Sequence, residues 1–149
     1  MKTIEIHSSS PDETIQIAKK LASILNHKDL VVLTGELGAG KTKFVEGFLS
    51  YYNLQDEISS PTFNIVNEYN NSNHNIYHFD VYRLEDIDEF YAIGGEEYFG
   101  KGICIIEWGE IIKDALPKDY IKITFERNFE IENSRNIKIE FFGNANIEI

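Results

Sequence analysis

Apolar positions recur along this chain with two different periods. "KTIEIH" near the start, and "YIKITFER" and "RNIKIEFFG" near the end, alternate apolar and polar residues, the pattern of strands with one buried face. "DLVVLTG" and "KGICIIEW" are apolar without alternation, which predicts strands buried on both faces, the first in a parallel setting. "SSSPDETIQIAKKLASILN" changes to helical spacing, with Ser10 as N-cap, Pro11 at the first helical position and Glu13 completing a capping box. Ile15, Ala18, Ala22 and Leu25 are its expected buried stripe. "KTKFVEGFLSYYN" reads as a second helix. "TFNIVNEY" and "NIYHFDVYR" read as arms of an antiparallel hairpin around the Asn-rich residues 67–75. "LEDIDEFYAIGGEEYFG" is expected to be helical in pieces, broken at Gly94 and Gly95. This order predicts one α/β domain over residues 1–149, with a mixed, partly parallel sheet flanked by helices and additional antiparallel strands.

Composition narrows the function classes. Fourteen Lys and Arg stand against twenty-five acids, a net charge of −11, so a basic face for gripping nucleic acid is not expected. Any role with RNA is expected to run through a partner. No run of about 18 apolar residues exists to cross a membrane, and the first residues lack a secretory pattern. The single cysteine, Cys104, lies in an apolar run and reads as a buried small hydrophobe. A cytoplasmic location is the expectation.

Chemistry enters with "GELGAGKT", residues 35–42, which matches G-x-x-x-x-G-K-[ST] between a predicted strand and a predicted helix. Gly35, Glu36, Leu37, Gly38, Ala39 and Gly40 would wrap phosphates with backbone N–H groups. Lys41 would reach the β- and γ-phosphates, and the Thr42 hydroxyl would ligate Mg²⁺. The alternative is a glycine-rich turn matching by accident. Glu107, directly after "ICII", stands where such sites keep a metal-linked carboxylate; an exposed acid past a strand is the bland alternative.

Asp80 is the least expected residue in its run. A carboxylate on a buried strand needs a partner or shifts its pKa. Alternation puts Ile76, His78, Asp80 and Tyr82 on one strand face, and Tyr77, Phe79, Val81 and Arg83 on the other. With the second face packed on the core, the first is expected to look into the nucleotide site. An Asp80–Arg83 ion pair is disfavoured by this arrangement. "SSPTF" carries Thr62 where a switch loop could sense the γ-phosphate, although Ser-Pro-Thr is also an ordinary turn. His78 reads as a structural histidine, with no second histidine at metal spacing.

Together, "GELGAGKT", "SPTFNIVNEY", "YHFDVYRL", "GGEEYF" and "IIEW" resemble the TsaE (YjeE) family, in its order and spacing. The resemblance implies a single-domain phosphate-loop NTPase that uses ATP and Mg²⁺ and supports formation of threonylcarbamoyladenosine in tRNA. It implies two protein partners, TsaD and TsaB, with tRNA met only through the complex and the transfer chemistry belonging to TsaD. Residues 35–42 would hold the phosphates, Thr42 and Glu107 the metal, and Asp80 the γ-phosphate and metal. Thr62 would be the switch threonine, with Lys41, Asp80, Glu107 and Thr62 as the catalytic set. Trp108 would pack near the nucleotide or a partner surface. Ser10 would lie near the adenine, and Arg135 resembles a late arginine near the nucleotide. Glu36 stands where the family often has Asp, and the chain beyond about residue 114 carries no distinctive motif.

Two other functions fit parts of the pattern. One is a regulatory module that docks in one nucleotide state, with hydrolysis incidental. The other is a small-molecule kinase. A kinase needs an arginine-rich lid to exclude water, and the acidic stretch "LEDIDEFYAIGGEEYFG" holds no arginine.

Overall fold

The computed structural model describes residues 2–25, 28–35, 40–54, 66–70, 74–81, 84–127 and 134–143. β1 (Lys2–Ser8) leads into α1 (Pro11–Ile24), then β2 (Leu30–Gly35) and α2 (Lys41–Tyr51). β3 (Val66–Asn70) and β4 (Asn75–Asp80) precede α3 (Ile87–Ala92) and a 3-10 turn at Gly95–Tyr98. β5 (Ile103–Glu107) is followed by 3-10 turns over Gly109–Ala115, then β6 (Tyr120–Arg127) and β7 (Arg135–Phe142). The seven strands form one sheet in the order β1-β7-β6-β2-β5-β4-β3. Its centre, β6-β2-β5-β4, is parallel, and antiparallel pairs close both edges. The expected α/β domain with a mixed sheet is what the chain forms.

The apolar patterns explain this placement. β2 and β5, the runs without alternation, lie side by side at the centre and are buried on both faces. β6 and β7 alternate, burying Ile121, Ile123, Phe125, Ile137, Ile139 and Phe141 beneath α1 and α2. α3 and the two 3-10 segments cover the opposite face over β2, β4 and β5, around Val32, Phe79, Phe90, Ile106 and Ile112. The late antiparallel strands β6 and β7 were legible in sequence. The parallel pairing of β6 with β2 was not, because it joins segments about 90 residues apart.

Local signals hold in most places. Ser10 caps α1, accepting the Glu13 N–H at 3.1 Å. Glu13 reaches back one residue further than a capping box requires, to the Ser9 N–H at 2.9 Å and the Ser9 hydroxyl at 2.7 Å. Those bonds lower its pKa, the backbone bond first. The buried stripe of α1 is Thr14, Ala18, Leu21 and Ala22; Ile15 and Leu25 are only half-buried. Gly94, at φ 71°, breaks α3 from the following turn as expected.

One expectation about β4 is corrected. Both of its faces are buried, with Ile76 under the α1–α2 layer and Phe79 under α3. The face carrying Asp80 is therefore mostly core, and only its C-terminal end approaches the phosphate loop. A strand between two covered faces has no open side, and alternation alone does not show which faces a sheet covers.

Candidate nucleotide site

The two halves of the fold meet at the end of β2. From β2 the chain leaves toward the α2 face; from β5 it leaves toward the other face, where Gly109 lies against Val32. Ligands of parallel α/β sheets bind at such a divergence, beyond the carboxyl ends of the strands. Gly35 ends β2 at φ 130°, where an added Cβ would lie 2.4 Å from the Phe125 carbonyl oxygen, so only glycine fits. Gly40, at φ 107°, starts α2 without a side-chain cap, leaving the first-turn N–H groups for a ligand. Residues 36–39, between them, lie outside the described residues, as do Thr62, Tyr82 and Arg83.

Lys41 is the charged centre of the site. It is 5% exposed, and its ammonium donates to the Gly35 carbonyl at 2.8 Å. The same nitrogen lies 3.5 Å from the Trp108 ring centroid. Burial lowers its pKa below the ordinary 10.5, while the negative charges of Glu107, Glu110 and Asp80 act in the opposite direction. Trp108 reaches this position through a left-handed backbone, φ 66°, directly after β5. That conformation is uncommon for a bulky residue, and the Trp108 N–H bond to the Leu33 carbonyl, 3.0 Å, helps hold it.

The acids come from neighbouring strands. Parallel pairing of β4 with β5 puts Asp80 in register with Glu107, and β2 with β5 puts Leu33 there too. Both carboxylates thus stand at strand ends beside the loop that begins at Gly35. Thr42 is exposed in the first turn of α2. His78, one pleat repeat before Asp80, sends Nε2 to Glu107 Oε2 at 2.6 Å.

The adenine-side expectations also converge on Gly40. A Cβ built there would lie 4.0 Å from both Arg135 Cγ and Thr14 Cγ2. Arg135 pairs in register with Ser8, whose hydroxyl meets that of Thr14 at 2.8 Å and donates to the Ser10 carbonyl at the same distance. Ser10 and Arg135 are therefore brought to one corner of the loop. Ser10's side chain is engaged as the helix cap, and Arg135 Nη1 donates to the Ser134 carbonyl at 2.9 Å. Sequence reasoning missed Thr14, Glu110 and Phe125. Thr14, a polar residue on the inner stripe of α1, was the one with a signal to find.

The oxygen set fits a magnesium site completed by a ligand. Mg²⁺ is usually held by one or two carboxylates together with phosphates and waters, and in phosphate-loop proteins also by the loop's Ser or Thr hydroxyl. One hydroxyl and two strand-end carboxylates supply that, whereas no cluster of three or more His, Cys, Asp or Glu suited to hold a metal unaided occurs among the described residues. Cys104 takes no part: it is buried, and burial pushes its thiol up to about 12.

Fold and loop define an α/β protein of the phosphate-loop class. The family model described as "Threonylcarbamoyl adenosine biosynthesis protein TsaE" matches residues 8–137. The Bacillus subtilis tRNA threonylcarbamoyladenosine biosynthesis protein TsaE is 39% identical over 145 residues, covering 97% of this chain and 89% of its own. The TsaE of Treponema pallidum is 39% identical over 118 residues, covering 78% of this chain and 87% of its own. The crystal structure of Bacillus subtilis YdiB superposes with a TM-score of 0.76 at 34% identity, covering 96% of this chain and 88% of that one. The chain belongs to the TsaE family of threonylcarbamoyladenosine biosynthesis. Among the described residues no helix is long and apolar enough to cross a membrane.

Proposed function

We propose that this chain is a magnesium-dependent ATPase that supports turnover of a TsaB–TsaD complex during threonylcarbamoyladenosine formation in tRNA. The observation carrying this reading is the buried Lys41 ammonium, tethered only 2.8 Å from the Gly35 carbonyl and surrounded by the fields of Glu107, Glu110 and Asp80. A phosphate replaces a neutral carbonyl with a charged acceptor, so Lys41 transfers to it with little movement.

In this reading Thr42 and Glu107 hold magnesium, and Asp80 orients the attacking water or the metal's own water. Bound magnesium neutralises charge developing on the transferred phosphoryl group. Thr62 is the switch threonine, Ser10 and Arg135 face the base side, and Trp108 packs beside the phosphates. Arg83, Arg127 and Arg135 are the chain's only arginines, so few groups can serve as a finger; turnover alone is slow and a partner completes the site. The acidic surface suits docking on a basic partner patch and reaching tRNA only through that partner.

The test is ATP hydrolysis by the purified chain with Mg²⁺, alone and with TsaB and TsaD added. Slow hydrolysis that rises with the pair is expected. Unchanged turnover in a complex shown separately to form would instead favour a docking module with incidental hydrolysis.

A further inference from the structure

We propose that His78 is the positioning residue for Glu107, fixing one carboxylate oxygen so that the other is presented to the metal. This rests on the reading of Glu107 as a magnesium-holding group. His78 is 4% exposed, and its Nε2 lies 2.6 Å from Glu107 Oε2. A carboxylate only accepts, so imidazole Nε2 carries the shared hydrogen. The contact exists because β4 and β5 run parallel in register: His78 pairs with Ile105 and Asp80 with Glu107. His78 therefore reaches diagonally, on the same face, to the residue two beyond its own partner.

Two features separate positioning from ordinary core filling. The other ring nitrogen, Nδ1, is buried and has no hydrogen-bond partner among the described residues. Burying an unpaired polar atom is costly, so an apolar residue would serve stability better at this point. The second feature is the neighbour. Asp80 stands directly across from Glu107, and like charges in register push apart. Without the donor that His78 supplies from the same strand as Asp80, Glu107 is free to swing away from Asp80. The Nε2–H bond removes that freedom and leaves Oε1 as the available oxygen. Carboxylates that ligate metals are commonly held this way, and loss of the outer partner lowers metal affinity about 10- to 100-fold.

Two amide substitutions distinguish the roles. In His78→Gln the side-chain amide nitrogen would occupy the place of Nε2. In His78→Asn it would occupy the place of Nδ1, too short to reach Glu107. Mn²⁺ binding to the full chain with saturating ADP is measured by electron paramagnetic resonance for wild type, His78→Gln, His78→Asn and Glu107→Gln. ADP affinity without metal is measured alongside. Expected are a Mn²⁺ affinity about tenfold or more lower in His78→Asn, near-wild-type affinity in His78→Gln, and unchanged metal-free ADP binding in both. Unchanged Mn²⁺ affinity in His78→Asn beside a loss in Glu107→Gln overturns the positioning role alone. No loss in Glu107→Gln overturns the metal reading beneath it. Equal losses in His78→Gln and His78→Asn, with metal-free ADP binding also reduced, would make His78 a structural residue.

Discussion

The Lys41 ammonium lies 3.5 Å from the centroid of the Trp108 ring, clamped between that ring and the Gly35 carbonyl. A cation over an indole face is attracted by the ring quadrupole, by about 2 kcal/mol or more when desolvated. Trp108 is the only tryptophan, so its emission reports this contact directly. Lys41→Met is expected to change the emission intensity of the nucleotide-free chain. ADP with Mg²⁺ is expected to change it in wild type, as Lys41 moves from ring to phosphate. ADP binding detected by dialysis without any change in emission would show that Lys41 stays on the ring.

Lys41 also predicts how stability depends on pH. Burial leaves its folded pKa below 10.5, so between the two values the unfolded chain binds more protons than the folded one. Stability then rises with pH in that window. Below the folded pKa the cost of burying the charge is constant; approaching 10.5 it is relieved. Urea midpoints of wild type relative to Lys41→Met should therefore climb as pH rises toward 10.5 and stay level at lower pH. A difference that falls over this window would mean that the nearby acids outweigh burial.

Much of this site was legible because its parts are local. The phosphate-loop glycines, the Ser10 cap and the apolar runs of β2 and β5 each follow from a few adjacent residues. What stayed hidden depends on register between distant strands. His78 meets Glu107 only because β4 and β5 pair as they do, 29 positions apart. The Trp108–Lys41 contact likewise needs a left-handed turn that no glycine announced. The burial of the β4 face carrying Ile76 and His78 follows from helices packed on both sides of the sheet, which a strand's own alternation does not encode.

Asp80 stands in register with Glu107 at the strand ends, and its charge contributes to the field on Lys41. In Asp80→Asn the shape is kept and the charge removed. Turnover is expected to fall by about a hundredfold or more, the scale of losing one preorganised charged group. ADP affinity should stay within about threefold of wild type, because an interaction used in the transition state affects turnover more than ground-state binding. Circular dichroism and thermal unfolding serve as controls. Equal losses of binding and turnover that track a lower melting midpoint would assign Asp80 to the fold.

Gly47 tests the packing that carries α2, and with it Lys41 and Thr42, against α1. A Cβ at Gly47 would lie 2.5 Å from the Ile15 carbonyl oxygen, 2.8 Å from Ile15 Cα and 3.0 Å from Ala18 Cβ. Two effects oppose each other in Gly47→Ala. Alanine favours a helix interior over glycine by about 0.8–1 kcal/mol. Overpacking against backbone atoms that cannot rotate away costs typically about 1–3 kcal/mol. The nearest contact is a carbonyl of the neighbouring helix, so relief requires α1 and α2 to separate. Net destabilisation of about 1–2 kcal/mol is expected by urea unfolding, the upper part of the overpacking range less the helix gain. Nucleotide affinity should fall as well, because α2 shifts with the first turn that carries Lys41. An alanine variant more stable than wild type would show that the two helices separate at little cost.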